Sequence, residues 1–153
     1  MHIRDKFGMI VPLFIASDRT HLSIMSGGQQ AYPVYLTIGN IDKSIRRKST
    51  YRAMVLLAYL PVDEFEHAAT FEERIRLKNK LTHRAMEIVT KPLRKASKEG
   101  VEMLCANGRF RCGYPTIAGV IGDWPEQCMM ACASEGGCSK CEQKGEGRGE
   151  YPR

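Results

Sequence analysis

Apolar residues along this chain follow two different rhythms, and the change between them divides it. Residues 8–17, GMIVPLFIAS, form a continuous apolar run of strand length rather than an alternating one, the pattern of a central strand covered on both faces. Pro12 counts against a central position because proline removes a ladder donor, and Asp18 ends the run. After the turn-forming SGGQQ, residues 32–40, YPVYLTIGN, mix aromatic and β-branched side chains, and residues 52–62, RAMVLLAYLPV, follow a basic connector. Three strands on short links predict an antiparallel meander.

From residue 63 to 100 the composition turns to Glu, Lys, Arg, Leu and Ala. Apolar positions at Phe71, Ile75, Leu77, Leu81, Ala85, Ile88, Val89 and Leu93 lie close to helical spacing. Thr70 followed by Phe-Glu-Glu fits an N-cap with acids in the first turn, and Lys95, Lys98 and Gly100 fit a C-terminus. Pro92 should kink or divide the helix. Beyond it, VEMLCA and RFRCGY flank Asn107-Gly108, the pair that favours a two-residue type I′ hairpin turn. The second arm runs on through PTIAGVIGD, and Pro125 then opens a helix expected to carry Glu126, Gln127, Cys128 and Cys132. From residue 142 the polar, Gly-rich EQKGEGRGEYPR is expected to be disordered. There is no internal repeat.

Composition bounds these readings. The 153 residues, 43% of them hydrophobic, suit one domain with a real core. The net charge of +6 permits a polyanionic partner without requiring one. The N-terminus has basic residues before an apolar patch, as a signal peptide would, but Asp5 and Pro12 interrupt it and a bulky Phe14 stands where a cut after Ala16 needs a small residue. No uncharged apolar run approaches the roughly 20 residues that span a membrane, so a soluble intracellular protein is expected. Six cysteines in such a protein point to thiols or a metal site rather than disulfides.

Candidate chemistry gathers at two carboxylates and four cysteines. Asp18 and Asp123 stand at the ends of apolar strands. Aspartate is common where strands end; the sharper reading needs the two strands to be neighbours, so that the carboxylates converge on a divalent cation. Hard Mg²⁺ takes carboxylate oxygens, waters and substrate phosphates, and two such ions steady the attacking and leaving oxygens of phosphoryl transfer. Directly behind Asp123, Cys128 and Cys132 are four apart, as on one helix face, while Cys138 and Cys141 have C-x-x-C spacing with Gly136 and Gly137 before them. All four could close a tetrahedral zinc site, or the C-x-x-C could pair with a distant ligand. Cys105 and Cys112, across the predicted hairpin, read as paired small apolar residues. His2, His21, His67 and His83 show no ligand spacing and read as structural or exposed. In the connector KSIRRKSTYR, Lys43, Arg46, Arg47, Lys48 and Arg52 could contact phosphates without sequence preference, and a solvated basic loop reads equally well.

These pieces together resemble the transposase of Plavaka elements, fungal cut-and-paste DNA transposons akin to the CACTA type. The resemblance rests on IASDRTHLS, YPVYLTIGNIDKSIRRK, VLLAYLPV, KPLRKASKEGVEM and YPTIAGVIGDWPEQCMMACASEGGCSKC, in the family's order over roughly residues 10 to 142. It implies an α/β fold, an RNase H-like mixed sheet with flanking helices, whose first strand carries one catalytic Asp and a strand paired beside it the second. Those roles fall on Asp18 and Asp123, with Mg²⁺ or Mn²⁺ as cofactor. It also implies a Cys-rich insertion after the second Asp, here residues 128–141 behind a core of residues 8–127 and before a tail of residues 142–153, fastened by Zn²⁺. DNA is the implied partner and the nucleus the implied location, with self-association open. The catalytic Glu of the family comes much later on a helix and has no counterpart here; Glu142, Glu146 and Glu150 lie only in the Gly-rich tail. The implied function is thus the front part of a metal-dependent DDE-type transposase core, inactive alone. A zinc-stabilised nucleic-acid-binding module and a non-functional transposon remnant are the alternatives.

Overall fold

The computed structural model describes residues 8–21, 30–105, 107–133 and 136–139. The first apolar run becomes β1 (Met9–Ser17), the middle strand of a curled, five-stranded mixed sheet. Val11, Leu13, Ile15 and Ser17 are buried on one of its faces, whereas Pro12, Phe14 and Ala16 on the other are half-buried. The run is therefore covered fully on one side only. Pro12 fits inside a central strand because its carbonyl accepts from Gly39 at the very end of the neighbouring strand (2.6 Å). The amide it lacks would have pointed to that same side, where the ladder stops.

A small hairpin of β2 (Thr20–His21) and β3 (Gln30–Ala31) leads to β4 (Pro33–Ile38), antiparallel to β1 with Leu13 opposite Ile38 and Ser17 opposite Val34. The basic connector folds into α1 (Lys43–Arg46) and a 3₁₀ turn, Ser49–Tyr51, before β5 (Val55–Tyr59) completes the predicted meander antiparallel to β4. Asp42 caps α1, and its carboxyl is held below the usual range by hydrogen bonds from the Ser44 hydroxyl and amide. Rather than a freely solvated loop, the connector lays the Arg46 guanidinium 5.3 Å above the Phe14 ring.

The helical region is one helix, α2 (Phe71–Glu99), uninterrupted by Pro92. Proline there leaves the Ile88 carbonyl without its helical donor, but Ile88 and Pro92 are both exposed, and water can serve that carbonyl. Thr70 caps the helix by accepting from the Glu73 amide (3.1 Å), and Gly100 ends it at φ 74°. Of the predicted apolar stripe, Leu81, Ala85, Val89 and Leu93 are half-buried while Phe71, Ile75 and Ile88 stay exposed. Ala85 and Met86 pack on the core of Ile15, Tyr32, Val34 and Leu60.

The predicted hairpin follows as β6 (Val101–Leu104) and β7 (Phe110–Ile121). Its turn is wider than a two-residue type I′ turn: the last paired residues are Leu104 and Phe110, and the Cys105 amide donates to the Arg109 carbonyl (2.9 Å). Cys112 stands opposite Glu102, not Cys105; even a two-residue turn at Asn107-Gly108 would have set it opposite Met103. β7 then runs parallel to β1, giving the order β5-β4-β1-β7-β6. Last comes α3 (Trp124–Met130). It ends before Cys132, so Cys128 and Cys132 do not share a helix face. Cys132, at φ 55°, closes the helix by donating to the Met129 carbonyl, and Ala133 donates to that of Cys128, the paired bonds of a Schellman motif. The expected tail of residues 142–153 lies outside the described residues.

Candidate functional site: an acidic concavity beside a cysteine turn

The parallel register of β1 and β7 sets Ala16 opposite Ile121. Asp18 and Asp123, each two residues further on, therefore leave the sheet at the same end of adjacent strands. Both line one concavity of about 310 Å³, together with Arg19, Tyr32, Lys78 and Glu126. Asp18 is exposed, whereas Asp123 is the N-cap of α3, its Oδ1 accepting from the Glu126 amide at 2.9 Å. Capping commits one carboxylate oxygen of Asp123. Asp123 thus has the ordinary capping role of an aspartate at a strand end, on a strand that neighbours the one before Asp18.

Glu126 is a third carboxyl of this site, and the sequence reading passed over it. As the third helical residue after the cap, Asp-Trp-Pro-Glu has the spacing of a capping box, but its side chain turns down into the protein. Gly122 makes the space: a Cβ there would stand 2.6 Å from Glu126 Oε2. Ser17 donates to Oε2 at 3.1 Å, and the Tyr32 hydroxyl hydrogen-bonds to the same carboxyl. Oε1 is buried with no hydrogen-bond partner among the described residues. Burial, reinforced by the nearby charges of Asp123 and Asp18, holds this carboxyl above its ordinary pKa despite the two hydroxyls. Burial first, and then Glu126, likewise push the Tyr32 hydroxyl upward.

The donor set is all oxygen, which suits a hard cation such as Mg²⁺ or Mn²⁺ rather than a soft one. Among the described residues, however, no three His, Cys, Asp or Glu side chains are arranged to hold an ion. What the concavity brings together is a pair of aspartates and a buried glutamate. The two cations lining the concavity are already engaged. Arg19 lies 5.2 Å above the Tyr32 ring, and Lys78 pairs with Glu64, whose carboxyl it holds below the usual range.

Lys43, Arg46, Arg47, Lys48 and Arg52 are not brought to this concavity. β4 runs opposite to β1, so the connector after Ile38 departs from the other end of the sheet. Of the cysteines, Cys128 is fully buried, Cys132 is exposed just past α3, and Cys138 is half-buried; Cys141 lies outside the described residues. His83, which showed no ligand spacing, comes from α2 to meet this turn. Its Nε2 is 2.9 Å from the Met129 carbonyl and 3.5 Å from Cys132 Sγ. Nothing in the sequence marks that contact, because 49 residues separate the two side chains.

No helix among the described residues is long and apolar enough to cross a membrane. Comparisons with curated proteins and with solved structures gave no match. The family model described as Plavaka transposase matches residues 2–153. That match takes in β1 with Asp18, the connector, β7 with Asp123 and the cysteine turn, and the chain belongs to the Plavaka transposase family.

Proposed function

We propose that this chain is part of the catalytic core of a metal-dependent, DDE-type DNA transposase, of RNase H-like fold, in which Asp18 and Asp123 hold Mg²⁺ or Mn²⁺ and transposon DNA is the substrate. The observation that carries the reading is the parallel pairing of β1 with β7, which sets both aspartates at one end of adjacent strands. The antiparallel meander of β1, β4 and β5, then a long helix, then a strand beside the first, is the order expected of such a core; the β6 arm is an addition to it. When bound, the divalent ions polarise the scissile phosphate and steady the attacking and leaving oxygens.

The protein's own part is positional. Asp18 offers an exposed carboxylate, and Asp123 keeps Oδ2 for an ion while Oδ1 caps α3. That cap fixes the angle at which the second carboxylate meets the first. Glu126 beneath them keeps Ser17 and Tyr32 in place. The connector cations, which do not line the acidic concavity, would contact DNA away from the scissile phosphate. Behind Asp123 the cysteine turn is the zinc-binding part, and work on chromosomal DNA would put the protein in the nucleus.

Mn²⁺ binding followed by electron paramagnetic resonance tests the reading. The chain should bind Mn²⁺ weakly, and Asp18→Asn and Asp123→Asn should each abolish the binding. Binding indifferent to both substitutions would refute the assignment.

A further inference from the structure

We propose that Glu126 is a positioning residue, one that holds Asp18 and Asp123 at a fixed separation by bonding to the segments that carry both. The inference rests on the metal reading of those aspartates and assigns Glu126 no bond to the ion. The sheet alone does not fix their separation, because the β1–β7 pairing ends at Ala16 and Ile121, two residues short of each carboxylate. Past that point Glu126 joins the two segments. Its main-chain amide donates to Asp123 Oδ1 at 2.9 Å, and its side-chain Oε2 accepts at 3.1 Å from the hydroxyl of Ser17, the residue before Asp18.

The residue after Asp18 is tied to the same carboxyl at one remove. Arg19 lies 5.2 Å above the Tyr32 ring, and the Tyr32 hydroxyl hydrogen-bonds to Glu126. Asp18 thus stays exposed while both of its neighbours are anchored. Two details oppose a purely local role for Glu126. In a capping box the glutamate three residues after the cap turns back to the cap residue's own amide; here the side chain bonds to a residue 109 positions back along the chain, in the space that Gly122 leaves by having no Cβ. It is also buried, with Oε1 lacking a partner among the described residues, a cost that a side chain serving only to start α3 need not incur. A cation shared by two carboxylates on loose chain ends would have to order both ends on binding, and anchoring them beforehand removes that cost. Metal affinity accordingly falls when the hydrogen bonds that orient the ligands are lost.

The experiment follows Mn²⁺ binding to the full chain by electron paramagnetic resonance, with circular dichroism confirming the fold of each variant. Ser17→Ala and Glu126→Ala remove the link from its two ends, and each should bind Mn²⁺ about tenfold more weakly than the native chain, or weaker still. Glu126→Gln removes the charge but keeps an oxygen acceptor for Ser17 and Tyr32, and its affinity should stay within about threefold of native. Thr70→Ala, which loosens the start of α2 at a residue that does not line the concavity, should bind as the native chain does. Native affinity in Ser17→Ala or in Glu126→Ala overturns the positioning role while leaving the aspartates as the metal site. A loss in Thr70→Ala equal to that in Ser17→Ala does the same, since the effect would then be one of stability. Glu126→Gln as weak as Glu126→Ala overturns it too, because the carboxylate would act through its charge or as a ligand. A native chain whose Mn²⁺ binding is absent, or indifferent to Asp18→Asn and Asp123→Asn, overturns the metal reading and this inference together.

Discussion

At Glu126 a carboxyl group sits under two hydroxyls, with one oxygen that has no hydrogen-bond partner among the described residues, beside two aspartates. Because burial and its acidic neighbours raise its pKa, the native state holds this proton more tightly than the unfolded chain does. The contribution is therefore fully present below the ordinary value of 4.5 and is lost as pH rises through the higher folded value. In metal-free protein the stability of the native chain should fall relative to Glu126→Gln as pH rises above the ordinary carboxyl value of 4.5, as read from urea midpoints; parallel profiles would show that the carboxyl is not perturbed. Gly122→Ala should be destabilising by about 1–3 kcal/mol, since its methyl group would meet Glu126 Oε2 at 2.6 Å and displace a packed side chain. The sequence offered Asp-Trp-Pro-Glu as a helix start, and this it is. Which way the glutamate turns depends on the room left by Gly122, which no local pattern reports.

On the scale of whole elements, α2 combines a good cap with a poor interior residue, and each can be measured. Thr70→Ala should cost about 1 kcal/mol by leaving the Glu73 amide without its acceptor. Pro92→Ala should stabilise the protein by about 1–3 kcal/mol, because it returns a helical donor to the Ile88 carbonyl and removes the ring at an exposed site. A loss of stability would mean that Pro92 makes a packing contribution of its own. Elements set by local chemistry were legible in the sequence: the meander from its apolar runs, α2 from Thr70 and Gly100, and the hairpin from Asn107-Gly108. Features set by contacts between distant residues were not. The hairpin turn widened to residues 105–109 and put Cys112 opposite Glu102. α3 stopped at Met130, since the Schellman closure at Cys132 replaced the further helical turn that Cys128-x-x-x-Cys132 suggested. The neighbouring placement of Asp18 and Asp123 could be stated beforehand only as a condition, because strand order is a property of the sheet.

Over the whole molecule the connector cations do not line the acidic concavity, so binding DNA and holding metal should be separable. Duplex DNA should bind in the presence of EDTA, and its affinity should fall linearly with the logarithm of salt concentration. Reversing Arg47 and Lys48, both exposed, to glutamate should weaken that binding and leave Mn²⁺ affinity alone. Cleavage is a stricter demand. Two-metal phosphoryl transfer needs both ions and the attacking water held in line, and preorganised charge is the largest part of such catalysis. Here Asp123 spends one oxygen on α3, Glu126 is tied to Ser17 and Tyr32, and the described residues provide no three-ligand cluster. On the proposed reading, two aspartates would hold one ion weakly and a second hardly at all. The isolated chain should neither nick nor join supercoiled plasmid or labelled transposon-end DNA with Mg²⁺ or Mn²⁺, even where it is found to bind DNA and ion. Asp18→Ala and Asp123→Ala are the controls. Cleavage by the native chain that vanishes in both would mean that the carboxylates of this concavity rearrange around metal and DNA into a complete site, with Glu126 the nearest side chain able to swing into it.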